Sequence, residues 1–201
     1  MRFWNHYRMG RLMYANMAKN GIRLNEWAFV LGNLAPDISL SYLYRQHSRE
    51  VSAPYLAKQL EFLYGGSAAY GDAGFSYSLG VMSHYVCDFL CYPHTTAFKG
   101  GAREHIIHEN NQMVGPADLL PFNKKNSVGM DLDKLARILD KYISRHERLF
   151  ARDEASGQND VPIAMHVSTW AAAGAYLFAE TSAALNPPAA RFGEPPLMAE
   201  A

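Results

Sequence analysis

Five residues with metal-ligating side chains lie close together near the middle of this 201-residue chain. His84 precedes Asp88 by four positions. The same spacing separates His105 from Glu109, and His94 lies between the two pairs. On a helix, residues four apart lie on one face about one turn from each other, so an imidazole and a carboxylate can reach the same cation. Because imidazole and carboxylate together suit zinc, this pattern predicts a zinc site on two helices joined by a corner.

One His-x-x-x-Asp pair is a weak indication of a metal site, since such a histidine is more often on the surface or hydrogen-bonded in the core. Two such pairs with a histidine between them are much less expected by chance. His108, next to Glu109, points about 60° away from His105 on a helical wheel. We therefore interpret His108 as a residue that supports the ligands or faces solvent.

Three further candidate ligands lie upstream of these pairs. Asp37 follows Pro36 in an apolar segment, where a buried carboxylate is costly without a metal or a hydrogen-bond partner. The alternative for Asp37 is a helix N-cap or a turn residue. His47 lies in a segment without clean periodicity, and His6 lies on the first predicted helix. For both histidines the alternative is an ordinary residue of a loop, the surface or the edge of the core.

The elements that would position these residues are predominantly helices. Strand-type alternation is nearly absent, and apolar residues recur at helical spacing from Leu132 to Ile143. We therefore predict an all-α fold, with one helical domain over residues 1–185 and a Pro-rich tail over residues 186–201. The predicted helices cover approximately Trp4–Asn20, Leu24–Leu31, Pro54–Tyr64, Phe75–Tyr92, Ala102–Met113, Met130–Ala151 and Pro162–Leu185.

Glycine and proline mark the predicted breaks between these helices. Gly32–Ile38 is predicted as a loop, and Ser39–Glu50 as a further irregular segment. Turns rich in glycine are expected at Gly65–Ser67 and Gly71–Gly74, and Pro93 is expected to end the central helix. These breaks leave one ligand pair on the central helix and the other pair on the helix that follows it.

The bulk composition indicates a globular domain and argues mildly against a nucleic-acid partner. Apolar residues make up 49% of the chain, and 19 Lys and Arg balance 19 Asp and Glu. A chain without a basic excess lacks the usual electrostatic attraction to a nucleic-acid backbone. Apolar stretches fall short of the ~20 residues of a membrane-spanning helix, and no secretion signal is recognisable at the start, so we expect a cytoplasmic protein.

The two cysteines, Cys87 and Cys91, lie four residues apart on the predicted central helix. Side chains at that spacing rarely have the directions that a disulfide needs, so we expect two reduced, buried cysteines. The alternative is a soft metal ligand, and Cys91 points within about 20° of His84 on the helical wheel.

Taken in chain order, these segments resemble the bacterial zinc-dependent phospholipase C family. The single-strand-specific nucleases of fungi and plants share the same metal scaffold. The similarity extends roughly from His6 to Glu109, and its most specific part begins at His84. The matching motifs are Gly32-Asn33-Leu34-Ala35-Pro36-Asp37-Ile38, a loop histidine, Ser83-His84-Tyr85-x-x-Asp88, Pro93-His94 and His105-x-x-x-Glu109.

The resemblance implies a zinc site with up to three ions. His47, His84 and Asp88 would hold one zinc ion. Asp37 would lie close by, as a further ligand or as the general base of the reaction.

By the same resemblance, His94, His105 and Glu109 would hold a second zinc ion. Asp88 would bridge to a third ion, which His6 helps to bind.

One departure from the family pattern concerns this third ion. In secreted members of the family, the free amine and the carbonyl of an N-terminal tryptophan also bind it. Here Trp4 is preceded by Met1-Arg2-Phe3. We therefore expect two or three zinc ions, the third depending on whether those residues are removed or Cys91 compensates for the missing chelate.

The resemblance implies hydrolysis of a phosphodiester by metal-activated water, with a phospholipid headgroup bond as the substrate and Asp37 orienting the nucleophile. Two other functions stay open: a nuclease or nucleotidase on the same metals, and a non-catalytic descendant in which zinc is structural. Aromatic residues would line a pocket for a lipid or a base, with core packing as the alternative. These residues are Tyr42, Tyr44, Phe75 and Tyr85.

Overall fold

The computed structural model describes residues 2–38, 49–64, 71–151 and 160–185. No β-strand occurs among these residues, so the prediction of an all-α fold is confirmed. None of the described helices is both long and apolar enough to cross a membrane. The α-helices are α1 (Phe3–Lys19), α2 (Glu26–Ile38), α3 (Arg49–Tyr64), α4 (Gly71–Phe89), α5 (Ala102–Asn111), α6 (Leu132–Ala151) and α7 (Asp160–Leu185). Short 3-10 helices lie at Tyr92–His94, Pro116–Asp118 and Lys124–Ser127.

The predicted loop over Gly32–Ile38 is wrong, because α2 continues through this segment to its end. Pro36 removes one backbone donor from the last turns of α2 but leaves the helix intact. Most residues from Phe29 to Pro36 are buried, so tertiary packing outweighs the local preference of proline. Asp37 therefore lies on a helix, four residues after Asn33.

Other helix boundaries also differ from the prediction. α3 begins at Arg49, inside the predicted irregular segment. The predicted turn Gly71–Gly74 is the start of α4. α4 ends at Phe89, and Pro93 lies instead within the short 3-10 helix that follows. Three predicted segments lie outside the described residues: 39–48, 65–67 and 186–201.

Helix α4 is the centre of the fold. Most side chains from Phe75 to Cys91 are buried, and the helix packs against α2, α3 and α7. On the α7 side, Cys87 Sγ lies 3.1 Å from Ser168 Oγ. Cys87 and Cys91 are both free and fully buried, as predicted.

Helices α2 and α4 approach each other closely because each has a glycine at the contact. A Cβ atom added at Gly32 would lie 2.0 Å from the backbone oxygen of Tyr77. A Cβ atom added at Gly80 would lie 2.1 Å from the backbone oxygen of Phe29. A larger residue at either position would therefore push backbone atoms apart, and the two glycines set the distance between the two helices.

Helix α6 covers one side of this core. Its buried residues recur at helical spacing and include Leu135, Leu139 and Ile143, while the opposite face is exposed. Arg49, the first residue of α3, pairs with Glu147 of α6 at 2.8 Å. This ion pair fixes the start of α3 against α6.

Candidate metal centre

The second half of α4 carries His84 and Asp88, and both side chains are completely buried. Their four-residue spacing brings His84 Nε2 to 3.1 Å from Asp88 Oδ2. Burying a carboxylate this deeply is costly unless charge or hydrogen bonds compensate for the lost water. The surroundings of Asp88 therefore decide what this pair can do.

Two neighbouring helices each add a ligand to this pair. His6 on α1 stacks on His84 with ring centroids 3.9 Å apart, and its Nε2 lies 3.1 Å from Asp88 Oδ1. Asp37, near the end of α2, places Oδ1 at 3.8 Å from His84 Nε2. Ligand atoms of His6, Asp37 and His84 all lie within 4.8 Å of one another, and we call these residues the first group.

Helix α5 and the 3-10 helix before it supply a second group, which consists of His94, His105 and Glu109. The Nε2 atoms of the two histidines converge on the same carboxylate oxygen, Glu109 Oε1, at 3.1 and 2.8 Å. His94 reaches this position because the chain turns sharply at Pro93 after α4 ends. The ligand atoms of this group also lie within 4.8 Å of one another.

Asp88 connects the two groups. Its Oδ1 lies 3.1 Å from His6 Nε2 and 3.6 Å from His94 Nε2. Its Oδ2 faces His84 of the first group. One buried carboxylate thus contacts imidazoles of both groups, as a bridging ligand would.

The structure brings together seven of the eight predicted ligands. The eighth, His47, lies outside the described residues. Asp37 and His105 are the most exposed members of the set, so they mark the side on which solvent reaches it. Trp4 lies in the first turn of α1 and is 67% exposed, so its side chain faces solvent.

Two of the four aromatic residues predicted near the site are core residues. Phe75 and Tyr85 are buried, and Tyr85 packs edge-on against Tyr55. Their positions agree with the packing alternative. Tyr42 and Tyr44 lie outside the described residues.

Asn33 orients two of the ligands, and it was not predicted from the sequence. Its backbone oxygen accepts a hydrogen bond from His84 Nδ1 at 2.9 Å. Its side-chain Oδ1 lies 3.2 Å from His6 Nδ1. The one sequence signal for Asn33 is that it precedes Asp37 by four residues, which puts both residues on the same face of a helix. This signal is useful only when α2 is known to extend to Ile38.

Asn5, also not predicted, connects the start of α1 to α5. Its Nδ2 donates to the backbone oxygens of Glu109 and Gln112 at 3.2 and 3.1 Å. These bonds hold the C-terminal end of α5 next to His6. The one sequence feature that indicates a role for Asn5 is that it directly precedes His6.

These contacts show which nitrogen of His84 carries the proton. A backbone carbonyl only accepts, so His84 Nδ1 must donate to the oxygen of Asn33. In a neutral ring, Nε2 then presents a lone pair to Asp88 Oδ2 at 3.1 Å. His6 repeats the arrangement, with Nδ1 toward Asn33 and Nε2 toward Asp88 Oδ1. A lone pair that faces a carboxylate oxygen needs a cation or a proton between them.

A comparison with known families agrees with this arrangement. The family model described as zinc dependent phospholipase C matches residues 5–148, a range that includes all seven ligands described above. The chain belongs to the zinc-dependent phospholipase C family. No curated protein and no solved structure matches the chain.

We call the first and second groups, together with Asp88, the phospholipase C centre, after the family. The ionisation of its residues suits a cation. Burial lowers the pKa of His94 to about 4, although Asp88 and Glu109 act in the opposite direction. Burial, followed by the charge of His6, also lowers the pKa of His84. Burial alone would raise the pKa of both Asp88 and Glu109, but neighbouring imidazoles outweigh it and hold both values below the usual range. At neutral pH, His84 and His94 are therefore neutral imidazoles and Asp88 and Glu109 are ionised carboxylates, the forms that bind metals.

The donor chemistry fits the zinc of the phospholipase C family. Imidazole nitrogen and carboxylate oxygen are ordinary zinc ligands. In His6 and His84, the nitrogen Nδ1 faces an oxygen of Asn33, and ligating histidines usually have such a hydrogen bond.

His108 and Cys91 do not join this phospholipase C centre. His108 Nε2 faces Asp160 Oδ2 at 3.4 Å. Ligand atoms of Cys91, His108 and Asp160 instead come together as a separate group. The expectation that Cys91 compensates for a missing tryptophan chelate is therefore wrong, because Cys91 lies with His108 and Asp160.

Proposed function

We propose that this protein is a zinc-dependent hydrolase that cleaves a headgroup phosphodiester bond of a phospholipid. The observation that carries the proposal is the pair of imidazole Nε2 atoms, from His6 and His84, that face the two oxygens of buried Asp88 at 3.1 Å each. With Nδ1 donating in both rings, a bound cation relieves the repulsion between these lone pairs and the carboxylate. Membership of the family supports zinc as that cation.

We assign one zinc ion to each group of ligands. Asp88 and His47 would be further ligands of the ion in the first group. Asp88 would also bind the ion of the second group through Oδ1, which faces His94. A third ion would require the amine and carbonyl of Trp4, whose backbone lies in the first turn of α1. The proposal is therefore a centre with two ions.

When bound, zinc supplies positive charge for the phosphoryl oxygens and makes a water more acidic. Asp37 is the residue best placed to accept the proton of an attacking water. Its side chain is 15% exposed, whereas Asp88 is closed off from solvent. The remaining carboxylate, Glu109, faces two imidazoles and serves as a ligand.

Exposed apolar residues beside the two most exposed ligands favour a lipid substrate. Ile38 follows Asp37 and Ile106 follows His105, and both isoleucines are exposed. Exposed apolar side chains suit acyl chains or a lipid surface better than a polyanion. The zero net charge of the chain agrees with this choice.

The test is turnover of phosphatidylcholine by zinc-loaded protein, compared with the Asp37→Asn variant. Loss of a general base lowers the rate about 10²–10⁴-fold, so we expect at least about a 100-fold loss. The rate is compared per bound zinc ion, because Asp37 also lies among the ligands of the first group. Asp133→Asn, on the exposed face of α6, is the matched control and should keep the wild-type rate.

The proposal fails if the zinc-loaded wild type cleaves neither phosphatidylcholine nor a model phosphodiester, or if Asp37→Asn retains the full rate. Cleavage of single-stranded DNA in preference to phosphatidylcholine would replace it with a nuclease. A single tightly held zinc without turnover would replace it with a structural role.

A further inference from the structure

A second cluster of metal-ligating side chains lies apart from the phospholipase C centre. Cys91 follows the end of α4, His108 lies on α5, and Asp160 is the first residue of α7. Their ligand atoms all lie within 4.8 Å of one another. Cys91 and Asp160 are almost completely buried, and the His108 side chain is largely so. Asp160 lies beyond the residues that match the family.

A fourth side chain, His146 of α6, lies beside this group at Asp160, outside the set whose ligand atoms are all within 4.8 Å of one another. Its Nε2 faces Asp160 Oδ1 at 3.9 Å, too far for a hydrogen bond. Both atoms are buried, and neither has a hydrogen-bond partner among the described residues. The histidine also hydrogen-bonds to the backbone of Leu90, which leaves Nε2 free to face the carboxylate. Two buried polar atoms that face each other without a bond indicate that something belongs between them.

Protein hydrogen bonds reach the other side of the cluster through a backbone amide and through Gln112. Tyr92 N donates to Asp160 Oδ2 at 2.9 Å, and Cys91 Sγ lies 3.5 Å from Gln112 Oε1. The Gln112 Nε2 atom lies 3.2 Å from Cys91 Sγ, 3.2 Å from His108 Nε2 and 3.4 Å from Asp160 Oδ2. An amide nitrogen has two hydrogens, so it cannot donate to all three atoms.

A neutral His108 with its proton on Nδ1 lets the two amide hydrogens of Gln112 reach His108 Nε2 and Asp160 Oδ2. Protein hydrogen bonds therefore satisfy this side of the cluster. The buried atoms of the cluster that lack a hydrogen-bond partner among the described residues are His146 Nε2 and Asp160 Oδ1.

A cation next to His146 Nε2 and Asp160 Oδ1 would give both of these buried atoms a partner. We propose that Cys91, His108, His146 and Asp160 bind one zinc ion at a site separate from the phospholipase C centre. One thiolate, two imidazoles and one carboxylate form a four-ligand set with the softness and the number of donors that a closed, structural zinc site has. Binding would release the thiol proton of Cys91 to solvent and displace the Gln112 side chain.

Such an ion would fasten four helices together. Its ligands come from the end of α4, from α5, from α6 and from the first residue of α7. The role that follows is mechanical, because a fully coordinated zinc has no open position for a substrate.

The cysteine makes the site easy to distinguish from the phospholipase C centre, whose ligands are imidazoles and carboxylates. Cobalt(II)-loaded protein should show a sulfur-to-cobalt charge-transfer band in the near ultraviolet, and Cys91→Ser should lose it. Cys87→Ser is the matched control, because Cys87 lies one turn earlier on α4, is equally buried and contacts Ser168 instead. This control should keep the band.

Metal analysis gives a second measurement. Zinc per chain should fall by one in Cys91→Ser and in His146→Gln, relative to wild type and Cys87→Ser. Gln112→Leu should keep the cobalt band, since the amide is not a ligand. A buried hydrogen-bond network without metal would instead give no band in any variant and a Gln112→Leu protein that is less stable than wild type.

The proposal is overturned if cobalt-loaded wild type shows no sulfur-to-cobalt band, or if the band persists in Cys91→Ser. Should Cys91→Ser fail to fold, X-ray absorption of the zinc-loaded wild type decides the question. A zinc–sulfur distance of about 2.3 Å supports the site, and the absence of a sulfur shell refutes it. Neither readout depends on hydrolysis, so failure of the proposed activity would leave this result intact.

Discussion

The glycine contact between α2 and α4 allows a direct test of how the fold positions the zinc ligands. Replacing Gly80 by alanine would place a Cβ atom 2.1 Å from the backbone oxygen of Phe29 and 2.8 Å from the backbone nitrogen of Asn33. Ordinary contacts begin near 3.4 Å, so the two helices must separate by roughly 1 Å at this point. After Phe29, the residue that the added Cβ atom approaches most closely is Asn33, which orients His6 and His84.

The expected cost follows from this geometry. Overpacking a core costs about 1–3 kcal/mol, and the upper end applies here because backbone atoms cannot rotate away. Alanine recovers about 1 kcal/mol through its better helix propensity. The net loss of about 2 kcal/mol corresponds to a fall in Tm of about 4–8 °C for a chain of this size. A separation of roughly 1 Å would also break the 2.9 Å hydrogen bond from His84 to Asn33, so zinc binding should weaken.

The assay is thermal unfolding of the zinc-loaded protein, together with zinc content after exhaustive dialysis. Gly174→Ala is the matched control, because its added Cβ would meet Met130 at an ordinary 3.5 Å. This control should leave Tm unchanged or raise it slightly. The reasoning is refuted if Gly80→Ala unfolds at the wild-type temperature and retains all of its zinc.

Two further predictions concern the ligand shell and its ionisation. Asn33→Ala removes the side-chain oxygen that faces His6 Nδ1, so we expect zinc to bind about 10–100-fold more weakly in a chelator competition. The control is Asn126→Ala, at an exposed position, which should keep the wild-type affinity. Equal zinc affinities of Asn33→Ala and wild type would contradict the prediction. Zinc-free protein should become more stable as pH rises from about 4 to 6.5. In the folded protein His94 has a pKa of about 4 and stays neutral over this range, whereas in the unfolded chain its pKa is near 6.5 and it binds a proton. His94 alone changes the free energy of unfolding by at most about 3 kcal/mol over this range. The measurement is urea unfolding at a series of pH values, in which His94→Gln should show a weaker dependence of stability on pH.

The helices and the two ligand pairs could be predicted from the sequence because both are local patterns. A four-residue spacing on a helix determines that His84 can meet Asp88, whatever surrounds them. The same holds for His105 and Glu109. The convergence of the pairs, in contrast, could be inferred only from the family resemblance, since spacing alone does not give the angle between helices.

What could not be predicted depends on contacts between distant residues. Pro36 indicated a loop, yet packing of α2 on α4 keeps the helix intact and gives Asn33 its role. His146 and Asp160 belong to no motif, and they meet because α6 and the start of α7 pack beside the end of α4. Such residues become visible only when the buried polar atoms have been paired in three dimensions.

Helix α5 lies between the two proposed metal sites and has little hydrophobic burial of its own. It is ten residues long, and its one buried residue is Glu109. Both of its isoleucines, Ile106 and Ile107, are exposed, so it gains little from the hydrophobic core. Helix α5 carries candidate ligands on two sides. Glu109 faces the phospholipase C centre, and His108 faces the cluster at Asp160. A helix with so little apolar burial can take a fixed position if cations hold it from both sides, and the position of α5 then depends on metal rather than on packing.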